Sequence, residues 1–170
     1  MKKIFVVLIL SLSAAGCFFT NAQEVNFNDP QTWLLGYFNP DQLLLEPHSS
    51  WYNREFDSYK IDSEAFIELS EADFEGIEVL IVLGTWCPDS RRELPRFMKV
   101  SQLAGFKQEN IKMMGTDSYK EAPIENYDDL NIERVPTFIF YHNKNEIGRI
   151  IEYPVASLER DMVNILRDER

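Results

Sequence analysis

One cysteine stands in the stretch GTWCPDSRRELP, residues 84–95, between an apolar run and a helix-like segment. Proline suits the first position of a helix, where its missing N–H is not needed. Pro88 therefore puts Cys87 at or just before the start of a helix. The unpaired N–H groups and the positive end of the helix dipole then face the sulfur and favour thiolate, the reactive form. Ser90 stands where a redox pair would hold its second cysteine, with its hydroxyl one turn away and placed to donate to the sulfur. Arg91 and Arg92 add positive charge that solvent screens. A lone thiolate can attack a disulfide and form a mixed disulfide. A serine hydroxyl does not resolve that adduct, so release must come from a second thiol on the substrate or from an external thiol. Such a site suits disulfide isomerisation, removal of a small thiol from a protein, or covalent capture.

Other chemistries find less support. His48 and His142 are the only histidines and lie far from Cys87 in sequence. No metal site and no cofactor are expected on that ground. The carboxylates are numerous, but no spacing singles out an acid–base pair; Glu125, Asp128 and Asp129 read as a solvated loop.

The elements that would position Cys87 are legible from residue 62 onward. Asp62 caps a helix running to about Ala72, with Phe66, Ile67 and Leu69 facing inward. Ile77 to Leu83 is apolar except for Glu78, as a strand buried on both faces reads. Pro88 to Ala104 carries Leu94, Phe97 and Met98 on one helical face. Ile111 to Met114 and Thr137 to Tyr141 read as strands. His142 to Asn145 is a hairpin turn, Glu146 to Tyr153 a returning strand, and Ser157 caps a last helix to about Arg167. Between the second and third strands Tyr127 to Leu130 adds a helical turn. This order implies an α/β fold with a central mixed β-sheet and helices on both faces. Upstream the chain is irregular and aromatic. Asn28-Asp29-Pro30 starts a short helix over Gln31 to Phe38, Asp41 to Glu46 forms a further turn, and Ser49 or Ser50 caps a helix through Trp51, Tyr52 and Phe56. This extension either lies over the core or forms a partner groove with Trp33, Trp51 and Tyr52.

The order of elements, together with Trp86-Cys87-Pro88-Asp89-Ser90, Pro95 five residues later and Val135-Pro136-Thr137 opening a strand, resembles the thioredoxin family over roughly residues 62–168. The resemblance implies a thioredoxin-like three-layer fold plus an N-terminal helical extension. It also implies a cis proline at Pro136 facing the sulfur of Cys87, with a kink in the helix at Pro95. If that bond is cis, the Val135 carbonyl and N–H point outward to pair with an incoming peptide, as a short strand addition. The expected catalytic residues are Cys87 and Ser90; the expected substrate-binding residues are Trp86, Pro88, Val135, Pro136 and Thr137. Two departures agree with each other. The second cysteine is replaced by Ser90, and the buried acid that often precedes the first cysteine by six residues is Ile81, so the acid that would help a second thiol is missing with that thiol. A peroxidase of the related peroxiredoxin type wants a threonine three residues before its cysteine, where Gly84 stands.

The bulk of the chain sets the setting. Its 170 residues favour one domain. Lys2 and Lys3, the apolar run Ile4 to Leu12 and the cleavage pattern Thr20-Asn21-Ala22 read as a signal peptide over residues 1–22. Residues 23–61 form the extension and 62–170 the thioredoxin-like domain. The leader implies an exported, periplasmic protein of bacterial style. Ala14-Ala15-Gly16-Cys17 offers the alternative of a lipoprotein anchored through Cys17, the one case in which a membrane is a partner. Cleavage after Ala22 removes Cys17 and leaves Cys87 as the single thiol, so no internal disulfide forms. Lys and Arg number 17 against 28 Asp and Glu, a net of −11. That balance excludes nucleic acid, which needs basic patches. The reading is a monomeric exported protein that exchanges with protein or small-molecule thiols and disulfides; the alternative is a non-catalytic thioredoxin-fold binding or chaperone-like module.

Overall fold

A computed structural model describes residues 25–167. The leader expected over residues 1–22, and Cys17 with it, lies outside the described residues.

Five strands form one mixed sheet, β1 (Gly36–Tyr37), β2 (Ile77–Leu83), β3 (Ile111–Gly115), β4 (Thr137–His142) and β5 (Asn145–Ile151), in the order β1-β3-β2-β4-β5. β2 is central, parallel to β3 and antiparallel to β4. Its side chains are buried at every position except Glu78, which is why the segment reads as an unbroken apolar run. The hairpin from β4 to β5 turns through Asn143 and Lys144, both at positive φ, the backbone state a tight hairpin requires.

Among the described residues four α-helices complete the architecture: α1 (Ser49–Ser58), α2 (Ser63–Ser70), α3 (Pro88–Leu103) and α4 (Leu158–Arg167). All four contribute to one cluster with one face of the sheet: Trp51, Leu69, Phe97 and Met162 pack with Val79, Ile81, Met113 and Phe140. Phe97 stacks on Phe138 at 4.6 Å between ring centroids and meets Phe140 edge-on at 6.0 Å. The opposite face carries Leu80, Val82, Met114 and Ile139, covered by Ile124, Tyr127, Leu130 and Ile132 from the connection between β3 and β4. Both faces are thus covered, as three layers require. The second helical cover is one 3-10 turn, Tyr127–Leu130.

The N-terminal segment differs from the expected helix over Gln31 to Phe38. Asp29 caps a 3-10 turn of three residues, Pro30–Thr32, and the chain then extends into β1, antiparallel to β3. The reason lies in two glycines. Gly36 adopts φ +69°, and a Cβ on Gly115 would sit 1.8 Å from the Leu34 carbonyl oxygen. Only a bare backbone at residue 115 lets the segment lie against the sheet. A second 3-10 turn, Pro40–Leu44, leads to α1. His48, not a serine, holds the cap position of α1, while the Ser49 hydroxyl donates to Glu46 at 2.5 Å. α1 is tied to α3 by Arg96 to Glu55 at 2.8 Å and by Lys99 Nζ to the carbonyls of Asp57 and Tyr59. Asp62 caps α2 through the Ala65 N–H, and Ala65 and Leu69 are its buried face; Ile67, expected inward, is 62 % exposed.

Candidate active site

Cys87 lies where β2 gives way to α3. The turn is closed by the Cys87 N–H donating to the Gly84 carbonyl at 2.9 Å and the Arg91 N–H donating to the Cys87 carbonyl at 3.1 Å. Cys87 is the cap residue of α3 with Pro88 at its first position, so the sulfur sits at the positive end of a 16-residue helix. Pro95 lies inside that helix.

Ser90 does not face the sulfur. It is fully buried, and its Oγ accepts the Gly84 N–H at 3.2 Å, a bond that pins the turn from inside. The expectation that it donates to Cys87 is corrected: the partner of the sulfur is the Val135 carbonyl, to which the S–H donates at 3.4 Å. The Val135–Pro136 bond is cis. The Val135 carbonyl, expected to point outward toward a peptide, is therefore taken by Cys87, and Val135 itself is buried. Thr137 is buried too, its hydroxyl donating to the Arg134 carbonyl at 2.7 Å. The Pro136 carbonyl accepts the Glu152 N–H. Cys87 is only 7 % exposed; Pro88 is the exposed member of the turn.

Trp86 is fixed at its polar end, where the indole N–H donates to the Thr116 carbonyl at 2.9 Å. A Cβ on Gly84 would come within 2.5 Å of the Trp86 ring, so the glycine is what admits it. Cys87, Trp86, Pro88, Val135, Pro136 and Thr137 thus converge at one end of the central strands, while Ser90 lies beneath them.

Several neighbours come from the N-terminal segment. The Thr85 hydroxyl accepts the Leu34 N–H at 3.2 Å and donates to the Thr32 carbonyl at 3.4 Å. Trp33 approaches Trp86 at 6.3 Å between rings, and the Arg91 guanidinium lies 4.4 Å over the Phe27 ring. Arg91 is not a solvated helix residue. Burial lowers its pKa, with Cys87 acting against that shift and Arg54 adding to it, and its Nη1 donates to the Thr85 carbonyl at 3.5 Å. Arg92 turns away to Asp89 at 2.7 Å and Glu93 at 2.6 Å. These N-terminal neighbours were not foreseen. Only the aromatic density of residues 27–52 hinted at them.

A family model described as Thioredoxin matches residues 48–165. No curated protein matches the chain. Among solved structures, a protein of unknown function from Pseudomonas aeruginosa is similar at 19 % identity and TM-score 0.51, over 74 % of this chain and 85 % of its own. An HIV epitope-scaffold is similar at 19 % identity and TM-score 0.53, over 72 % and 86 %. A thioredoxin from Arabidopsis thaliana in the oxidized state aligns at 20 % identity and TM-score 0.40, over 64 % and 91 %. With more than half its length matched by the family model, and its cysteine at the start of a helix against a cis proline, the chain belongs to the thioredoxin family.

Proposed function

We propose that the protein carries out thiol–disulfide exchange through Cys87 alone. The observation that carries the reading is the placement of the single described cysteine at the N-terminus of α3, against the Val135–Pro136 bond. Cys87 attacks a disulfide sulfur, the new Sγ–S bond forms, and the old S–S bond breaks with departure of a thiolate. A thiol from the substrate or from solution then attacks the adduct and releases Cys87. Ser90 takes no part in the electron flow; it holds the turn. Export is part of the same proposal, because a free thiol used for exchange finds its disulfide substrates in an oxidising compartment. Trapping tests it: the wild-type protein is expected to be captured in mixed disulfides that reductant dissolves, and Cys87→Ala in none. Equal capture by the two proteins overturns the proposal.

One observation favours a second reading, a non-catalytic binding module. Cys87 is 7 % exposed and its S–H is engaged with the Val135 carbonyl, a bond only the protonated thiol makes. Partner binding unchanged in Cys87→Ala would select that reading.

A further inference from the structure

An open groove of about 1080 Å³ separates the N-terminal segment and α1 from the active-site turn. Trp86 and Pro88, the residues on either side of Cys87, line it. Its polar wall is rich in donors. Arg54 and Arg91 line it; Arg54 is largely exposed and, among the described residues, has Glu55 at 3.5 Å as its one counter-charge, while Arg91 donates to the Thr85 carbonyl at 3.5 Å. Trp51 lines it as well; it is 3 % exposed, and its indole N–H has no acceptor. His48 stands edge-on to Trp51 at 5.9 Å, is 4 % exposed, and leaves Nδ1 without a partner. Among the described residues Glu46 is the one acid that lines the groove, and its carboxylate takes the Ser49 hydroxyl. Arginine and tryptophan side chains offer donors only. Two lining guanidinium groups, against one lining carboxylate among the described residues and a Glu55 that Arg54 shares with Arg96, leave room for an acceptor that carries negative charge. This runs against the rest of a chain whose net charge is −11.

We propose that this groove selects, among the disulfides and thiols with which Cys87 exchanges, low-molecular-weight ones that carry a carboxylate near the sulfur. The proposal rests on the exchange reading. A small molecule is chosen over an acidic protein because a protein would meet the whole negative surface, whereas a small carboxylate meets only the groove. The step balances within sulfur chemistry. The Cys87 thiolate attacks one sulfur of the small disulfide, the Sγ–S bond forms, and the leaving thiolate takes a proton from water. A second small thiolate then attacks the small-molecule sulfur of the adduct, restoring the disulfide and the Cys87 thiolate.

Three disulfides of similar length test the charge preference: dithiodipropionate, hydroxyethyl disulfide and cystamine, anionic, neutral and cationic in turn. Adduct formation on the protein is followed at neutral pH by intact mass. The anionic reagent is expected to react fastest, and Arg54→Ala to lower its rate ratio to cystamine about fivefold. Cystamine reacting fastest, the order set by the net charge, or a ratio unmoved by Arg54→Ala overturns the proposal. A binding arm separates the groove from the chemistry. In Cys87→Ala the unreactive thioether thiodipropionate is expected to shift the Trp51 indole N–H resonance, while neutral thiodiethanol does not. Absence of that shift overturns the groove whatever the exchange rates. A shift in a protein whose wild type forms no adduct supports the groove as an anion site and removes the exchange reading.

Discussion

Ser90 shows how a residue in the active-site motif can act through the backbone. Its buried hydroxyl satisfies the Gly84 N–H, and Gly84 in turn makes room for Trp86. Ser90→Ala leaves that N–H without a partner in a buried turn, a loss of about 1–3 kcal/mol. Urea unfolding is expected to show that loss, with Cys87 still forming adducts; unchanged stability would remove the structural role. His48 gives a pH signature. Burial pulls its pKa below the ordinary 6.5, Arg91 pulls the same way, and Glu46 opposes them. The unfolded chain therefore takes up its proton at higher pH than the folded one, so stability is lost as pH falls through 6.5 toward the folded value. Between about pH 7 and about pH 5 the wild type is expected to lose more stability than His48→Phe, in the histidine titration window. Parallel pH profiles for the two would contradict this.

The elements with an unbroken or one-faced apolar pattern were legible in the sequence. β2 and α3 announce themselves because each presents a single apolar pattern, and the turn between them carries its own punctuation in Gly84, Cys87 and Pro88. β1 did not, because nothing local makes Gly36 and Tyr37 a strand; their state comes from pairing with Gly115 and Met114 across the fold. The Thr85 bonds to Thr32 and Leu34 join residues 53 and 51 positions apart, and no periodicity reports such contacts. Ser90 misled for a related reason: spacing puts it one turn from the sulfur, but the hydroxyl went to the N–H that the buried turn left unpaired. Gly115→Ala tests the seating of the N-terminal segment directly. Its Cβ would meet the Leu34 backbone, which cannot swing aside as a side chain can. The substitution is expected to cost about 3 kcal/mol or more, at the severe end for a single change. A loss below about 0.5 kcal/mol, the range of ordinary surface changes, would show the segment is not seated there.

At the scale of the whole molecule, the sheet places the described sulfur at the end of its central strand, and the N-terminal segment borders that turn together with Arg54 of α1 and Arg91 of α3, in a chain of net negative charge. The family likeness was readable from Trp86 to Ser90 and Val135 to Thr137; a groove in the aromatic extension was offered through Trp33, Trp51 and Tyr52, but its place beside Cys87 was not legible, since it forms only when residues 25–54 fold back onto the turn. The account stands on Cys87 reacting as a nucleophile in the folded protein and being released by another thiol. The most direct measurement treats the folded protein with hydroxyethyl disulfide, follows its mass, and then adds an external thiol. The account predicts one adduct per molecule, located at Cys87 and removed by the thiol without unfolding. No adduct until denaturant is added would contradict it and leave Cys87 as a packed side chain of a binding module.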